Sequence, residues 1–364
     1  MKSFIAAFFS LCVFFGSTHA CTGIVLKSKE GIAITGRTLD FSKEIDSSLI
    51  AIPKGYRYVG TTPDGKGGAK WESKYNIVGM SALGYPQFVE GLNERGLAVG
   101  VFYFSGYAGY SDFDHSHKED YLASWEYGTW LLSNFATVEE VKENAGKVKI
   151  AKTALPEWGE IIPLHYFVRD AEGNNLTLEY IDGTLHVHDN PIGILTNSPD
   201  FPWHIVNLQN YVNLSAVNVP QVKLSGLTVG AEGSGSGLLG LPGDFTPPSR
   251  FIRATAFTQT ALPVEQAENG ATQAFHILNS FDIPKGTVYR PTPDGKDQYN
   301  YTQWISATDM GNKKFYYHTH GDRRVRMVDL KKLSFEDGKM KTFAISSDQD
   351  IEDVTGRLHS TDSK

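Results

Sequence analysis

The sequence predicts an α+β protein built as two stacked antiparallel sheets with helices on their outer faces. Three observations carry this reading. Candidate elements come in blocks, in the order strands, helices, strands, helices, strands, which suits layered sheets flanked by helical pairs. The composition favours turns and pleated strands, with 36 Gly, 17 Tyr and 21 Phe in 364 residues. No linker, internal repeat or low-complexity tract divides the chain after residue 20, so residues 21–364 read as one large domain.

The elements follow in order. Residues 22–26 (TGIVL) and 31–38 (GIAITGRT) are β-rich runs joined through Lys27 to Glu30, a hairpin. Further strands are expected at 49–53, at 75–81, and in a pair turning at Asn93-Glu94-Arg95-Gly96 that ends in 97–104. A helical block covers 121–135 and 138–145, the second opened by the capping box Thr137-Val138-Glu139-Glu140. A meander comes next, at 164–169, 176–181 and 184–188, with Asp182-Gly183 as its tight turn. After a strand at 192–196, helices are predicted at 251–261 and 264–279. Strands near 303–309, 314–319, 324–330 and 340–345 close the chain.

Composition also excludes whole classes of function. Hydrophobic residues at 41% and charged residues at 21% describe a globular chain with a sizeable core. The balance of 34 Lys+Arg against 41 Asp+Glu gives a net charge of −7, so no basic face is available for nucleic acid. Residues 230–243 (GAEGSGSGLLGLPG) imitate a phosphate cradle, but no Gly-Lys-Ser/Thr follows, and a surface or substrate-rim loop is the better reading. The pairs His115/His117, His186/His188 and His318/His320 have metal-compatible spacing but no cysteine partner. No Gly-x-Ser-x-Gly elbow occurs. The sequence calls for neither a metal nor an organic cofactor.

The N-terminus has the layout of a secretory signal peptide. Lys2 supplies positive charge, residues 4–15 are apolar apart from Ser10, and a small, polar stretch ends at Ala20. Export to the periplasm or the medium is the expectation. The apolar run is shorter than the ~20 residues that span a bilayer, so no membrane anchor is expected. Cleavage after Ala20 would remove Cys12 and leave Cys21 as the first residue and sole cysteine. Three readings compete for it: accident, lipidation, or an N-terminal nucleophile. A lipoprotein box would need a Leu-like and then a small residue where Thr18 and His19 stand. A free α-amino group, with a pKa of ~7.7–8.0, beside a thiol of ~8.5 gives one residue both base and nucleophile. That reading is adopted.

Longer motifs sharpen it. CTGIVLKSKEG at 21–31 and GRTLDF at 36–41 resemble the start of the choloylglycine hydrolase family, which includes penicillin V acylases and conjugated bile salt hydrolases. The resemblance continues through EGLNERGLAVG (90–100), LTNSPDFPWH (195–204), GLPGDFTPPSRFIRA (240–254) and QWISATDM (303–310). It implies the four-layer αββα sandwich of N-terminal nucleophile hydrolases and hydrolysis of linear carbon–nitrogen amides through a thioester. By motif position it implies Cys21 as nucleophile, Arg37 beside the thiol, Asp40 holding the α-amino group, Asn197 in the oxyanion hole and Arg250 completing the charged cluster. Where bile salt hydrolases usually show Asn, this chain has Tyr103, which leans the reading toward a penicillin V or N-acyl homoserine lactone acylase. Conjugated bile salt hydrolase is the alternative, and an exported binding protein retaining the fold is the non-enzyme alternative. Phe102 and Tyr103, with the aromatic run to Tyr110 and Trp125 and Trp130, are expected to shape an apolar acyl pocket for a small-molecule N-acyl amide. The resemblance also implies a homotetramer.

Overall fold

The computed structural model describes residues 20–292 and 295–359. The leader expected at residues 1–20 lies outside the described residues except for Ala20.

Alternating apolar residues along the early strands need two cores at once, and the chain supplies both with two large antiparallel sheets. The first runs, in spatial order, Ile194–Leu195, Thr22–Lys27, Ala33–Phe41, Gln298–Asp309, Lys314–Thr319 and Arg326–Asp329, with Val288–Arg290 also paired to Gln298–Asp309. The second runs Thr184–Asp189, Asn175–Ile181, Leu164–Arg169, Ala98–Tyr103, Phe88–Asn93, Ile77–Ser81, Ser48–Ile52 and Lys341–Ala344. The strand that follows Cys21 is an interior one. Gly23 pairs with Arg37 on one side and Leu195 on the other, so three distant motifs are held in register at the start of the chain.

The period of two sorts side chains into three cores. Leu49 and Ala51, Ala98 and Phe102, Phe167 and Trp304 face the layer between the sheets. Their neighbours Ile50 and Ile52, Val99 and Val101, Tyr166 and Val168 face outward under helix Ser124–Asn134. On the other side Ile24, Ile34, Ile305 and Ala307 pack under helices Pro247–Thr260 and Gly270–Leu278. The order of layers is helix, sheet, sheet, helix, as the sequence predicts. The sheets approach closely next to the first residues: a Cβ on Gly23 would stand 2.8 Å from the Phe102 ring, so only glycine fits there.

Element boundaries shift for local reasons. The helix expected at 251–261 begins instead at Pro247, because two prolines can open a first turn but not occupy its interior. The one expected at 264–279 is shorter, Gly270–Leu278. Strand Gln298–Asp309 starts before the expected residue 303. Thr137 caps its helix as expected, accepting from the Glu140 N–H at 3.2 Å, while Glu140 Oε2 accepts from the N–H of Ala136 at 2.7 Å rather than from that of Thr137. Asp182 (φ 50°) and Gly183 (φ 78°) make the two-residue turn of the meander.

Candidate active site

Cys21 sits at the mouth of the inter-sheet layer, 3% exposed, immediately before the strand Thr22–Lys27. Its backbone N–H donates to Asn197 Oδ1 at 2.9 Å. Arg250, in the first turns of helix Pro247–Thr260, donates to the Cys21 carbonyl, to Thr22 Oγ1 at 3.0 Å and to the same Asn197 Oδ1 at 2.7 Å. Two donors on Oδ1 fix the orientation of the Asn197 amide, which leaves Nδ2 to donate to the Tyr103 carbonyl at 2.8 Å. Residues 21, 103, 197 and 250 therefore meet in one network.

Arg37 and Asp40 come from the neighbouring strand Ala33–Phe41 and complete the group. Arg37 is fully buried. It donates to the carbonyls of Thr38 (3.2 Å), Val89 (3.0 Å) and Val101 (2.8 Å), and its guanidinium lies 4.1 Å from the centre of the Phe102 ring. The Asp40 carboxyl accepts from Thr38 Oγ1 at 2.7 Å and from Thr302 Oγ1, while its backbone carbonyl lies 4.0 Å from the Cys21 sulfur. In this chain, which continues N-terminally through Ala20, the acceptor bonded to the Cys21 nitrogen is thus Asn197 rather than the Asp40 carboxyl.

Burial sets the electrostatics. It raises the Cys21 thiol above its usual range, with Arg37 pulling in the opposite direction. It pushes Asp40 up to about 7 despite the hydroxyls of Thr302 and Thr38. It brings Arg250 down to about 10, opposed by Asp40 and Cys21. A bare thiol here needs both a nearby base and its cationic neighbours to ionise near neutral pH.

One face of Cys21 opens on an apolar pocket. Its wall is formed by Leu39, Phe41, Tyr85, Tyr103, Trp125 and Trp158, among other apolar residues. Tyr103 takes the expected place on that wall, and burial raises its hydroxyl to about 12, so it faces the pocket as a neutral phenol. Phe102, expected beside it, does not line the pocket. A strand turns successive side chains to opposite faces, and Phe102 points into the inter-sheet core against Arg37 and Phe167. Trp130 likewise packs in the outer layer against Tyr127 and Phe135. The pocket aromatics that sequence reasoning missed are Phe41 and Trp158, stacked on each other at 5.6 Å, Phe88, and Tyr85, whose hydroxyl donates to Glu157 at 2.7 Å. Phe41 closes the GRTLDF motif, two residues beyond Leu39 on the same face, and that alternation was the available signal.

The other flagged motifs sit elsewhere. Residues 230–243 form a surface loop after the hairpin Val222–Leu224/Leu227–Val229 and do not line the Cys21 pocket. His115 and His117 contact Asp64 and Asp114 at the surface, and His318 is buried against Phe275. His204 has a structural part in the site: its Nε2 donates to the Asn197 carbonyl at 2.9 Å, and burial lowers its pKa to about 4, keeping the ring neutral.

The model for linear amide C–N hydrolases, choloylglycine hydrolase family, matches residues 21–343. The chain belongs to that family. A protein named bile salt hydrolase/transferase from Clostridium perfringens is 32% identical over 92% of this chain and 99% of its own length. Penicillin V acylase from Pectobacterium atrosepticum is 24% identical, over 92% of this chain and 88% of its own. The crystal structure of a mutant conjugated bile acid hydrolase from Clostridium perfringens superposes with a TM-score of 0.80, covering 92% of this chain and all of that one at 32% identity. This choloylglycine hydrolase family member is accordingly an amidohydrolase with the Ntn-hydrolase fold.

These relatives correct the expectation of a periplasmic or secreted protein. The bile salt hydrolases come from Gram-positive bacteria, and the family model begins at residue 21. The residues that carried the export reading precede the matched region, and the expectation of export is not upheld. Among the described residues, no helix is long and apolar enough to cross a membrane.

Proposed function

We propose that this amidohydrolase uses Cys21 as an N-terminal nucleophile to cleave amides with a bulky apolar acyl group, conjugated bile salts being the best-supported class. The observation that carries the reading is the position of the sulfur: it stands at the edge of an apolar pocket and within a network of Asn197, Arg250, Arg37 and Asp40. The choice of bile conjugates over phenoxyacetyl amides rests on the relatives, at 32% identity and near-complete coverage against 24%.

Removal of residues 1–20 frees the Cys21 amine. That amine takes the thiol proton, and the sulfur adds to the amide carbonyl. The second Nδ2 hydrogen of Asn197, the one not given to the Tyr103 carbonyl, meets the developing oxyanion. Collapse of the tetrahedral adduct breaks the C–N bond, with the protonated amine returning its proton to the leaving nitrogen. Water then adds to the thioester, giving its proton to the amine, and expulsion of the sulfur restores the thiol.

Asn197→Ala is expected to lower kcat by ~10²–10³, the cost of one oxyanion donor, with little change in KM. Steady-state kinetics on a glycine conjugate check this. A loss confined to KM removes Asn197 from the oxyanion role.

A second reading, penicillin V-type acylation, has Tyr103 in its favour, since that side chain is on the pocket wall. A panel of glycine- and taurine-conjugated bile salts, penicillin V and N-acyl homoserine lactones separates the two. The expected order is bile conjugates first. Tyr103→Asn is expected to raise the ratio of bile conjugate to penicillin V turnover further, by about tenfold if one polar contact changes hands. Equal effects on both substrates would make Tyr103 a packing residue.

A further inference from the structure

We propose that Glu90 is a positioning residue that acts on Cys21 through Arg37: its buried carboxylate, shared between Arg37 and Arg169, sets how much of the Arg37 charge reaches the sulfur. This rests on the reading of Cys21 as nucleophile.

Glu90 lies in strand Phe88–Asn93 and is 1% exposed. Its Oε1 accepts from Arg169 Nη2, and its Oε2 is 3.9 Å from Arg37 Nη1. A carboxylate at this depth is sustained only by positive charge, and here two guanidiniums supply it. The cluster also has reserved space. A Cβ on Gly100 would stand 2.3 Å from Glu90 Oε2 and 2.9 Å from Arg169 Nη1, so glycine at 100 makes room for the ion pair.

Arg37 directs its hydrogen bonds to the carbonyls of Thr38, Val89 and Val101 rather than to a carboxylate. Its guanidinium is therefore held in place by backbone while Glu90 moderates its charge from a short distance. The charged side chains acting on Cys21 are Arg37, Asp40 and Arg250. Counting Arg169 and Glu90 as well, three guanidiniums face two carboxylates. With both carboxylates ionised, a thiolate at Cys21 balances that set and a thiol leaves one positive charge in excess. Removing Glu90 increases the excess and favours the thiolate. Removing Arg169 does the reverse.

The test is the pH dependence of Cys21 alkylation by iodoacetamide in the form beginning at Cys21, followed by mass at that residue, since the thiolate is the reacting species. The α-amino group of Cys21 titrates nearby but is common to every variant. Glu90→Gln is expected to lower the alkylation midpoint by about one pH unit, and Arg169→Gln to raise it by a similar amount. Glu90→Asp, which keeps the charge, should restore the parent midpoint. The double variant Glu90→Gln/Arg169→Met removes both charges, leaves Arg37 on its backbone carbonyl partners, and should titrate near the parent, which keeps the proposal testable if a single variant does not fold. KM should not move, because Glu90 does not line the pocket. An unchanged or raised midpoint in Glu90→Gln, or a double variant shifted as far as a folded single one, overturns the proposal. The alkylation readout needs no turnover, so a failed nucleophile assignment would show in Cys21→Ser and not here.

Discussion

Cys21→Ser is expected to fold as the parent does and to hydrolyse a linear amide about three orders of magnitude more slowly or worse. The fold survives because the contacts that hold residue 21 are backbone ones: its N–H to Asn197 Oδ1 and its carbonyl to Arg250. Oxygen is also smaller than sulfur, so no overpacking arises at this buried position. Turnover falls because a hydroxyl is far less acidic than a thiol. Burial already disfavours the anion of the thiol, and the field of Arg37 that offsets this for sulfur is too weak for an alcohol. The measurement is kcat/KM on a glycine-conjugated bile salt, beside a thermal midpoint within a few degrees of the parent. Near-parent turnover in a folded variant would take Cys21 out of the mechanism.

A form carrying one uncleavable residue before Cys21 should be as inert as the full 364-residue chain, while the Cys21-first form hydrolyses amide. An amide nitrogen has its lone pair delocalised into the carbonyl and is no base near neutral pH. In the chain that continues through Ala20, that nitrogen is a hydrogen-bond donor to Asn197 Oδ1 at 2.9 Å. The side chains of Arg37, Asp40, Asn197 and Arg250 are already assembled around it, so in the proposed mechanism removal of residues 1–20 supplies only the base. Loss of a general base is worth ~10²–10⁴ in rate, and a thiol raised by burial makes that loss felt in full. All three forms are to be assayed with their N-termini checked by mass. Comparable activity in the extended form would sink the α-amino base.

Much of the candidate site was legible in the residues because the parts that come together in it lie in contiguous motifs. Arg37 and Asp40 share one strand, Asn197 follows a two-residue strand, and Arg250 opens a helix marked by Pro247 and Pro248. The lean toward a penicillin V acylase rested on Tyr103 alone, and one side chain on a pocket wall says less about substrate than the match of the whole chain. The export reading rested on residues 1–20, which precede the residues 21–343 that the family model matches.

The sequence by itself determined the layered fold, through a period of two that switches to helical patterning in blocks, and it set the candidate site residues in a few contiguous motifs. Tertiary structure alone decided which face each one takes. Phe102 and Tyr103 are neighbours in sequence, yet one packs under Arg37 and the other on the pocket wall, because the pleat sends consecutive side chains to opposite sides of the strand. It also brought Trp158 onto Phe41, and Glu90 between Arg37 and Arg169, across separations of 117, 53 and 79 residues that no local pattern spans. Contacts of that range are set by how two sheets stack, and the stacking depends on every side chain in the layer between them.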